Sequence, residues 1–328
     1  MTEPYKVSIL VPVYGVEKYI ERCVRSLFEQ TYENIEYIFV NDCTKDKSIE
    51  ILERVIETFP KRKKQIRIIN HCINKGLAAS RNTAVNHCSG DFIMHVDSDD
   101  HLDPDTVEYA VIEQQKGDYD IVSFGCYREY KNKTIVQNPP DITNAKEMCK
   151  FLIEKKTNVG IWGRLYRTTL YKENGICALE GSDMGEDYQI TPRLMFYAKS
   201  ISNLKFPKYH YNLMNENSYV NSINSEKNRQ LFLSSKIVFD FFHSRTEFVD
   251  SVHVAKLKIG TILMQNCIKG NLGKEDFKKY ATLLTSIPLK YYKNLNVAQK
   301  VTALIRNYHL LNFAYRAMNF ITKNICQH

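Results

Sequence analysis

Residues 92–100 read FIMHVDSDD, a short apolar run that ends in three aspartates within four positions. The run has the composition of a buried strand with one histidine in it, whereas Asp97, Asp99 and Asp100 carry like charges that repel one another. Crowded carboxylates are normally stabilised by a cation or by raised pKa values. The stretch therefore predicts a buried strand whose carboxyl end forms part of a site for a positively charged group.

Apolar runs and amphipathic stretches alternate on the N-terminal side of this strand. Apolar strands separated by helices indicate a mainly parallel sheet with helices on its faces. Ligands bind beyond the carboxyl ends of such strands, so Tyr14, Asp42 and the aspartates at 97–100 are predicted to meet at one edge. The predicted strands are 7–14, 35–42, 66–71 and 91–97, and the predicted helices are 17–30, 48–59 and 77–88.

The pattern loosens after residue 100, where we predict a helix that has Asp103 as its cap and Pro104 at its first position. We divide the chain into an α/β domain, residues 1–224, and a helical region, residues 225–328. The other predicted elements are a strand at 120–130, a helix near 144–156, a helical stretch to about Ser202 and a final strand at 209–214.

Composition limits the class of protein. With 328 residues, 44% hydrophobic and 25% charged, the chain resembles an ordinary soluble globular protein. It begins without a signal peptide and contains no run of 18 apolar residues, so we expect a cytoplasmic protein that does not span a membrane. Nine cysteines without a CxxC pair are expected to be reduced thiols. Neither a dinucleotide-binding glycine motif nor a phosphate loop is present, and nucleic acid is not an expected partner.

Five separated motifs resemble those of family 2 glycosyltransferases, and they cover roughly residues 5–220 in order and spacing. The motifs are VSILVPVYGVEKYIERCVRSLFEQTYENIEYIFVNDCTKDKS, NKGLAASRN, GDFIMHVDSDDHLDPD, IWGRLYR and GEDYQ. The resemblance implies a GT-A fold and transfer of a sugar, with inversion, from a nucleoside diphosphate donor to a glycan hydroxyl. Uridine diphosphate is the family's commonest donor nucleotide, and the product is expected to be a bacterial capsule, exopolysaccharide or lipopolysaccharide.

The resemblance makes Asp97-Ser98-Asp99 the family's DxD motif. Asp99 is then the expected ligand of a divalent cation, Mn²⁺ or Mg²⁺, and Asp97 is expected to face the metal shell or the donor. Hard cations prefer such oxygen ligands and absorb the charge of a leaving diphosphate. Ser98 and Asp100 are also expected at the donor, although Asp100 could instead cap the turn, and an acidic start of a helix is the simpler explanation of the later aspartates.

Other residues are assigned to the donor by the same resemblance. Asp42 matches the position that recognises the nucleobase or ribose, although Cys43 follows it where the family commonly has glycine, and a positive φ would strain a cysteine there. Arg81 is a candidate partner of Asp97 or of a phosphate, or else an ordinary arginine on a helix surface. The base pocket is assigned to Pro12, Val13, Tyr14 and Glu17.

An inverting transfer needs a base that takes the proton of the acceptor hydroxyl. In the family the Glu-Asp pair lies beside the acceptor, so Asp187 is the expected base and Glu186 is expected to orient the acceptor. Opening a helix is the structural alternative for this pair. Trp162 and Arg164 are assigned to the acceptor, although Trp162 could equally belong to the core and the family commonly has lysine at the position of Arg164.

The C-terminal region is basic. Residues 225–328 contain 16 Lys or Arg and 6 Asp or Glu, and no acidic residue follows Asp276. A stripe at helical spacing predicts an amphipathic helix that contacts the inner face of an anionic membrane, docks on the catalytic domain or forms a homodimer. The alternatives to glycosyl transfer are a non-catalytic nucleotide-sugar-binding scaffold and a sugar-nucleotide pyrophosphorylase. The stripe consists of Val297, Val301, Leu304, Tyr308, Leu311, Tyr315 and Met318, accompanied by Lys300, Arg306, Arg316 and Lys323.

Overall fold

The structure is a computed structural model that describes residues 4–215 and 222–325, with side chains described up to residue 317. The chain forms two compact units. The first unit contains Met1–Leu152 and Thr157–Ser218, and the second contains Ile153–Lys156 and Tyr219–His328.

The first half of the sheet follows the predicted alternation closely. All seven residues of the first strand are buried, because helices cover both faces of the sheet. These first four strands are parallel to one another and lie in the order β3-β2-β1-β4. The elements are β1 (Val7–Val13), α1 (Ile20–Phe28), β2 (Ile35–Asn41), α2 (Ser48–Thr58), β3 (Ile66–Asn70), α3 (Leu77–His87) and β4 (Phe92–His95).

The second half of the sheet mixes parallel and antiparallel pairs. The complete order is β3-β2-β1-β4-β8-β6-β9-β5, with β7 paired to β6. β8 is antiparallel to both of its neighbours, whereas β6 and β9 are parallel. The elements are β5 (His101–Leu102), α4 (Thr106–Gly117), β6 (Ile121–Tyr130), β7 (Lys133–Gln137), α5 (Ala145–Ile153), β8 (Arg164–Arg167), α6 (Thr168–Lys172), α7 (Glu186–Tyr197) and β9 (Ile201–Asn212).

Two predicted boundaries in this half were wrong. Helix α4 begins at Thr106 with Asp105 at the cap position; the Asp103 carboxylate contacts His210, and the Asp103 carbonyl accepts from the Thr106 N–H in the turn before the helix. The helical stretch predicted up to about Ser202 ends at Tyr197, and strand β9 already begins at Ile201, where its pairing with β6 overrides the local pattern.

The described part of the second unit is helical, as predicted. Helix α9 is apolar around most of its circumference and packs against α8, α10 and α11. Asparagine caps begin two of the helices, Asn224 before α8 and Asn296 before α11. None of the described helices is long and apolar enough to cross a membrane. The helices are α8 (Ser225–Phe242), α9 (Val249–Lys269), α10 (Lys274–Ala281), α11 (Val297–Ile305) and α12 (Tyr308–Ile325).

The predicted apolar stripe on α11 and α12 does not form one face. Val297, Val301 and Leu304 are exposed, whereas Leu311 is buried. The side chains of Met318 and Lys323 lie outside the described residues.

Candidate active site

The aspartates of FIMHVDSDD point to different surroundings. Asp100 is fully buried, and its carboxylate accepts hydrogen bonds from the Tyr209 hydroxyl at 2.6 Å and the Asn212 N–H at 2.8 Å. Burial and the neighbouring Asp99 and Asp97 carboxylates raise the pKa of Asp100 well above its usual range. Asp100 was considered for a role at the donor or in the turn, and these contacts are those of a residue that fixes the turn to β9.

Asp99 and Asp97 stay partly accessible. One oxygen of Asp99 accepts a hydrogen bond from the Asn215 amide at 2.8 Å, and its backbone carbonyl accepts one from Asn212 at 3.2 Å. Burial and the Asp97 carboxylate raise the pKa of Asp99. The predicted metal ligand therefore lies where a cation would relieve electrostatic strain. Ser98 is buried within the same turn.

Arg81 is the centre of the site. Helix α3 places its guanidinium in the interior, where one nitrogen, Nη2, lies 3.0 Å from Asp97 Oδ1 and 3.4 Å from both Glu186 Oε1 and Asp187 Oδ1. Burial would lower the pKa of Arg81, but these three carboxylates raise it. The side chain is only 2% exposed, so the alternative of a helix-surface arginine is wrong.

The three carboxylates outnumber the charge of Arg81. Among the described residues, two buried oxygens, Asp97 Oδ1 and Asp187 Oδ1, have no hydrogen bond. The Nε and Nη1 nitrogens of Arg81 are likewise buried and without a hydrogen bond to any described residue. The ion pairs of Arg81 with Asp97 and Asp187 are therefore short but lack hydrogen-bond geometry. Buried polar atoms that the fold leaves unsatisfied are typical of a site that a ligand completes.

Glu186 and Asp187 begin helix α7, after a left-handed Gly185. Burial raises the pKa of both groups; the Asp187 carboxylate adds to the effect at Glu186, and Arg81 opposes it at both. The Asp187 side chain is 21% exposed and that of Glu186 is 8% exposed. Asp187 is thus the more accessible of the two for a substrate hydroxyl.

The predicted base pocket lies at the carboxyl ends of β1 and β2. Tyr14 is 52% exposed, whereas Pro12 and Val13 are buried beneath it. Glu17 is exposed and accepts a hydrogen bond from the Lys47 N–H at 3.1 Å, which fixes its loop to the start of α2. The structure gathers these residues at one edge, with Tyr14 as the side chain most available for stacking.

Asp42 is more deeply engaged than its sequence motif indicates. It is 3% exposed, and its carboxylate contacts His71 Nδ1 at 2.7 Å and accepts from the N–H groups of Lys75 and Gly76, each at 2.8 Å. Cys43 adopts a φ of 57°, the left-handed conformation anticipated from the glycine that the family commonly has there. Asp42 therefore organises the loop at the end of β2 through backbone contacts.

Trp162 and Arg164 form part of the framework beside the site. Trp162 is 8% exposed and stacks between Tyr209 and Tyr211, with ring centroids 4.7 and 4.9 Å away. Arg164 donates to the backbone carbonyl of Asn158 at 2.8 Å and to that of Gly160. Both residues border a small pocket between β6 and the loops that contain Asn138 and Asn158. The contacts of Trp162 are those of a core residue, the second of its two predicted roles.

A histidine group near the aspartates was not found from the sequence. His210 Nδ1 lies 2.8 Å from Glu129 Oε1, its Nε2 lies 2.9 Å from Asp103, and the His101 ring stacks on it at 4.0 Å. Potential ligand atoms of His101, Glu129 and His210 lie within 4.8 Å of one another. Burial and His210 lower the pKa of His101 to about 4. The pairing of β9 with β5 on one side and with β6 on the other brings these residues together, and this pairing cannot be read from a local sequence pattern.

Known proteins resemble this chain in sequence. The profile of glycosyl transferase family 2 matches residues 8–175. A putative glycosyltransferase of Bacillus subtilis, EpsH, is 33% identical over 241 residues, 71% of this chain and 67% of its own length. The poly(ribitol-phosphate) β-N-acetylglucosaminyltransferase TarS of Staphylococcus aureus is 26% identical over 224 residues, 66% of this chain and 37% of its own length.

Solved structures show the same fold. The crystal structure of S. aureus TarS residues 1–349 in complex with UDP-GlcNAc superposes with a TM-score of 0.71 and 18% identity, and the match covers 95% of this chain and 92% of TarS 1–349. This likeness confirms the GT-A fold with its helical C-terminal region. The chain belongs to glycosyl transferase family 2 and is a glycosyltransferase.

Proposed function

We propose that the protein is an inverting, metal-dependent enzyme that transfers a sugar from a nucleoside diphosphate donor to a hydroxyl of a growing glycan. The observation that carries this proposal is Arg81, whose Nη2 lies within 3.0 to 3.4 Å of Asp97 on the donor side and of Glu186 and Asp187 on the acceptor side. A residue for the donor and a residue for the acceptor thus meet at one buried cation. Family membership favours glycosyl transfer over a pyrophosphorylase or a non-catalytic scaffold.

The side chains fit a divalent cation at Asp99 and Asp97. The carboxylates of Asp97, Glu186 and Asp187 contact the single guanidinium of Arg81, and burial together with Asp97 raises the pKa of Asp99, as expected where a carboxylate charge is poorly compensated. Two carboxylate oxygens suit Mn²⁺ or Mg²⁺, which keep further positions for phosphate oxygens. Such a cation supplies compensation for the negative charge of the leaving diphosphate. The group of His101, Glu129 and His210 is the second candidate, because the charge of Glu129 is already partly compensated by Arg22, whose Nη1 lies 3.4 Å from Glu129 Oε2.

The protein's own residues account for the remaining requirements. Asp187 accepts the proton of the attacking acceptor hydroxyl, because a carboxylate with a raised pKa binds that proton more strongly than an exposed one. Arg81 pairs with both Asp187 and Asp97, so it keeps the proposed base next to the proposed donor site, as an inverting attack requires. Glu186 orients the acceptor, Arg164 and Trp162 support the loop beside it, and Tyr14 stacks on the donor base.

The donor and product are narrower proposals. TarS is a poly(ribitol-phosphate) β-N-acetylglucosaminyltransferase, and its structure in complex with UDP-GlcNAc supports a UDP-sugar as the donor of this chain. The proposed acceptor is a bacterial surface polysaccharide. We propose that residues 1–224 form the catalytic domain and that the basic residues 225–328 assist it.

A thermal-shift panel tests the donor and the metal together. Purified protein is heated with UDP-, GDP- and dTDP-sugars, each with Mn²⁺, with Mg²⁺ or with EDTA. A ligand at a hundred times its Kd stabilises the folded state by about 2.7 kcal/mol. We expect a UDP-sugar to raise the Tm only when the divalent cation is present. Equal stabilisation in EDTA would contradict metal dependence, and stabilisation by GDP- or dTDP-sugars alone would contradict the proposed donor.

Helices α11 and α12 of the second unit expose the apolar side chains of Val297, Leu304 and Phe313 in the same segment as the basic residues Lys300 and Arg306, and these five residues are called the α11–α12 surface. These three apolar side chains are 78%, 67% and 75% exposed. No acidic residue follows Asp276 in the sequence, so anionic lipid headgroups complement the charge of this surface. We propose that it binds the inner face of an anionic membrane, where lipid-linked acceptors lie.

Sedimentation with vesicles tests this surface. The unmodified protein should sediment with vesicles containing 30% phosphatidylglycerol and remain in solution with pure phosphatidylcholine. The double variant Leu304→Glu/Phe313→Glu should lose sedimentation, whereas Phe206→Glu, a change at a 55% exposed side chain of the first unit, should keep it. Unchanged sedimentation of the double variant overturns the proposal. Concentration-dependent dimerisation without vesicle binding would assign the surface to a homodimer instead.

A further inference from the structure

Helix α3, which contains Arg81, begins without a cap of its own. Its cap position is Gly76, and its first turn contains no acidic residue. The first N–H groups of a helix have no partner within the helix and favour a negative charge. A helix that holds a buried arginine in an exact place therefore depends on another segment for its N-terminal end.

Asp183 supplies this cap from the acidic loop before α7. Its Oδ1 accepts a hydrogen bond from the Ala78 N–H at 2.9 Å. Burial raises the pKa of Asp183, while hydrogen bonding from the N–H groups of Ala78 and Leu77 opposes this effect. The carboxylate is thus retained in a half-buried position by the helix end that it caps.

Gly76 is the residue that lets the two segments approach. Its φ is +89°, and a Cβ at this position would lie 2.3 Å from Asp183 Oδ2. Any other residue would combine backbone strain with a direct overlap with the capping carboxylate. The close approach of the loop to the helix therefore depends on one residue of each segment, Gly76 at the cap position of the helix and Asp183 in the loop.

Two carboxylates share consecutive N–H groups at this helix end. Asp42, at the end of β2, accepts from Lys75 and Gly76, and Asp183 accepts from the residues that follow. The loop is fixed at a second point, because the Asn82 side chain exchanges two hydrogen bonds of 2.9 Å with the backbone of Ala178. The donor-side strand and the acceptor-side loop are thereby attached to the same helix.

We infer that Asp183 is a positioning residue that sets Glu186 and Asp187 against Arg81. Asp183 precedes Glu186 by three residues, and its partner Ala78 precedes Arg81 by three residues, so one short contact fixes the loop about one helical turn from the ion pair of Arg81 with Glu186. The inference rests on the proposed role of Asp187 as base. A displacement of about 1 Å in catalytic geometry can cost about a hundredfold in rate.

Steady-state kinetics of three variants test this inference. Asp183→Ala should lower kcat ten- to a hundredfold with little change in the KM of the donor. Asp183→Asn keeps an oxygen that can accept from Ala78, and it should restore most of kcat. Asn224→Ala is the matched control, since it removes the cap of α8 in the second unit at a similar cost in stability, about 1 kcal/mol, and should leave kcat unchanged.

A pH profile separates positioning from mere stability. In the Asp183→Ala variant a loosened loop admits water to Asp187, so the pKa that burial raises should fall and the acidic limb of the kcat profile should move to lower pH. Wild-type kcat in Asp183→Ala overturns the inference, and so does an equal loss in Asn224→Ala. If Asp183→Ala does not fold, a kcat in Asp183→Asn as low as that of Asp187→Asn would overturn it. Full activity of Asp187→Asn would instead refute the proposed function.

Discussion

The two ends of the central sheet treat buried carboxylates in opposite ways. At the amino ends of β1 and β2, Glu36 is 6% exposed and accepts hydrogen bonds from the Ser8 hydroxyl at 2.5 Å, the Ser89 N–H at 2.6 Å and the Gly90 N–H at 3.0 Å. Lys6 and Arg67 each contact its other oxygen at 3.1 Å. Burial alone would raise the pKa of Glu36, but the hydrogen bonds lower it to about 2.

At the carboxyl ends Asp42 is also well hydrogen-bonded, but burial prevails for the carboxylates of the candidate site. The pKa values of Asp99, Glu186 and Asp187 are raised, and Asp187 Oδ1 has no hydrogen bond from any described residue. The same chemical group therefore stabilises the fold at one end of the sheet and costs stability at the other. The difference indicates that the carboxyl edge is arranged for ligands, because natural folds keep unsatisfied buried charges mainly where function requires them.

The largest expected effect is on turnover at the acceptor side. Asp187→Asn should reduce kcat about a thousandfold, because the acceptor hydroxyl loses the proposed base. Donor binding should persist, since Asp97 and Asp99 are unchanged. The measurements are release of nucleoside diphosphate with acceptor present and the shift in Tm caused by donor with Mn²⁺. A variant with wild-type turnover would remove Asp187 from the mechanism.

A somewhat smaller effect is expected on the donor side. Asp99→Ala should reduce turnover about a hundredfold and abolish the cation-dependent part of the donor-induced shift in Tm, because one oxygen ligand of the proposed cation is lost. Asp105→Ala, an acidic residue of the same segment that contacts Lys208, serves as the control and should keep both properties. Donor stabilisation that still depends on Mn²⁺ in Asp99→Ala would place the cation elsewhere, with the His101 group as the next candidate.

The sequence predicted the first half of the sheet well and the second half in part: the strand at 120–130 and the helix near 144–156 correspond to β6 and α5, whereas β9 begins earlier than predicted. Strands β1, β2 and β4 are buried on both faces, so their apolar runs are visible without knowledge of their neighbours. Strand β9 includes lysine, asparagine and proline, and its pairing with β6 is what makes it a strand. Local patterns cannot report such pairing.

The same distinction applies to the site. The aspartates at 97–100 and the pair at 186–187 follow recognisable motifs, and the structure brings Asp97, Glu186 and Asp187 to Arg81. The roles of Asp183 and Glu36 were not predicted, because each side chain accepts hydrogen bonds from backbone N–H groups of segments that are distant in sequence. For Asp183, the glycine in NKGLAA was the only local signal, and it indicates a close approach without naming the partner.

The third prediction concerns the stability that Glu36 provides at the amino ends of β1 and β2. Glu36→Gln should lower the free energy of unfolding by about 2 kcal/mol at pH 7, because a neutral amide weakens the charge-assisted hydrogen bonds that Ser8 and Ser89 donate to the carboxylate. Since the pKa of Glu36 is lowered in the folded state, its contribution is complete above the unfolded pKa and disappears as the pH falls towards about 2. Urea unfolding followed by Trp162 fluorescence reports on the first unit. The kcat of the folded variant should equal that of wild type, and a hundredfold lower kcat would break the contrast between the two ends.

The smallest expected effect is a gain in stability, opposite in sign to the loss expected for Glu36→Gln. Asp187→Asn should raise the free energy of unfolding by about 1 kcal/mol at pH 7, because it removes a carboxylate whose ionised form the fold destabilises. A carboxyl group with a raised folded pKa costs stability as the pH rises from its unfolded pKa through its folded pKa, so the gain should grow over that interval and vanish in acid. The same urea titration measures it. A variant less stable than wild type at neutral pH would show that the ion pair with Arg81 outweighs the cost of burying Asp187. The buried carboxylates at both ends of the sheet would then stabilise the fold, and the two ends would differ only in their effect on catalysis.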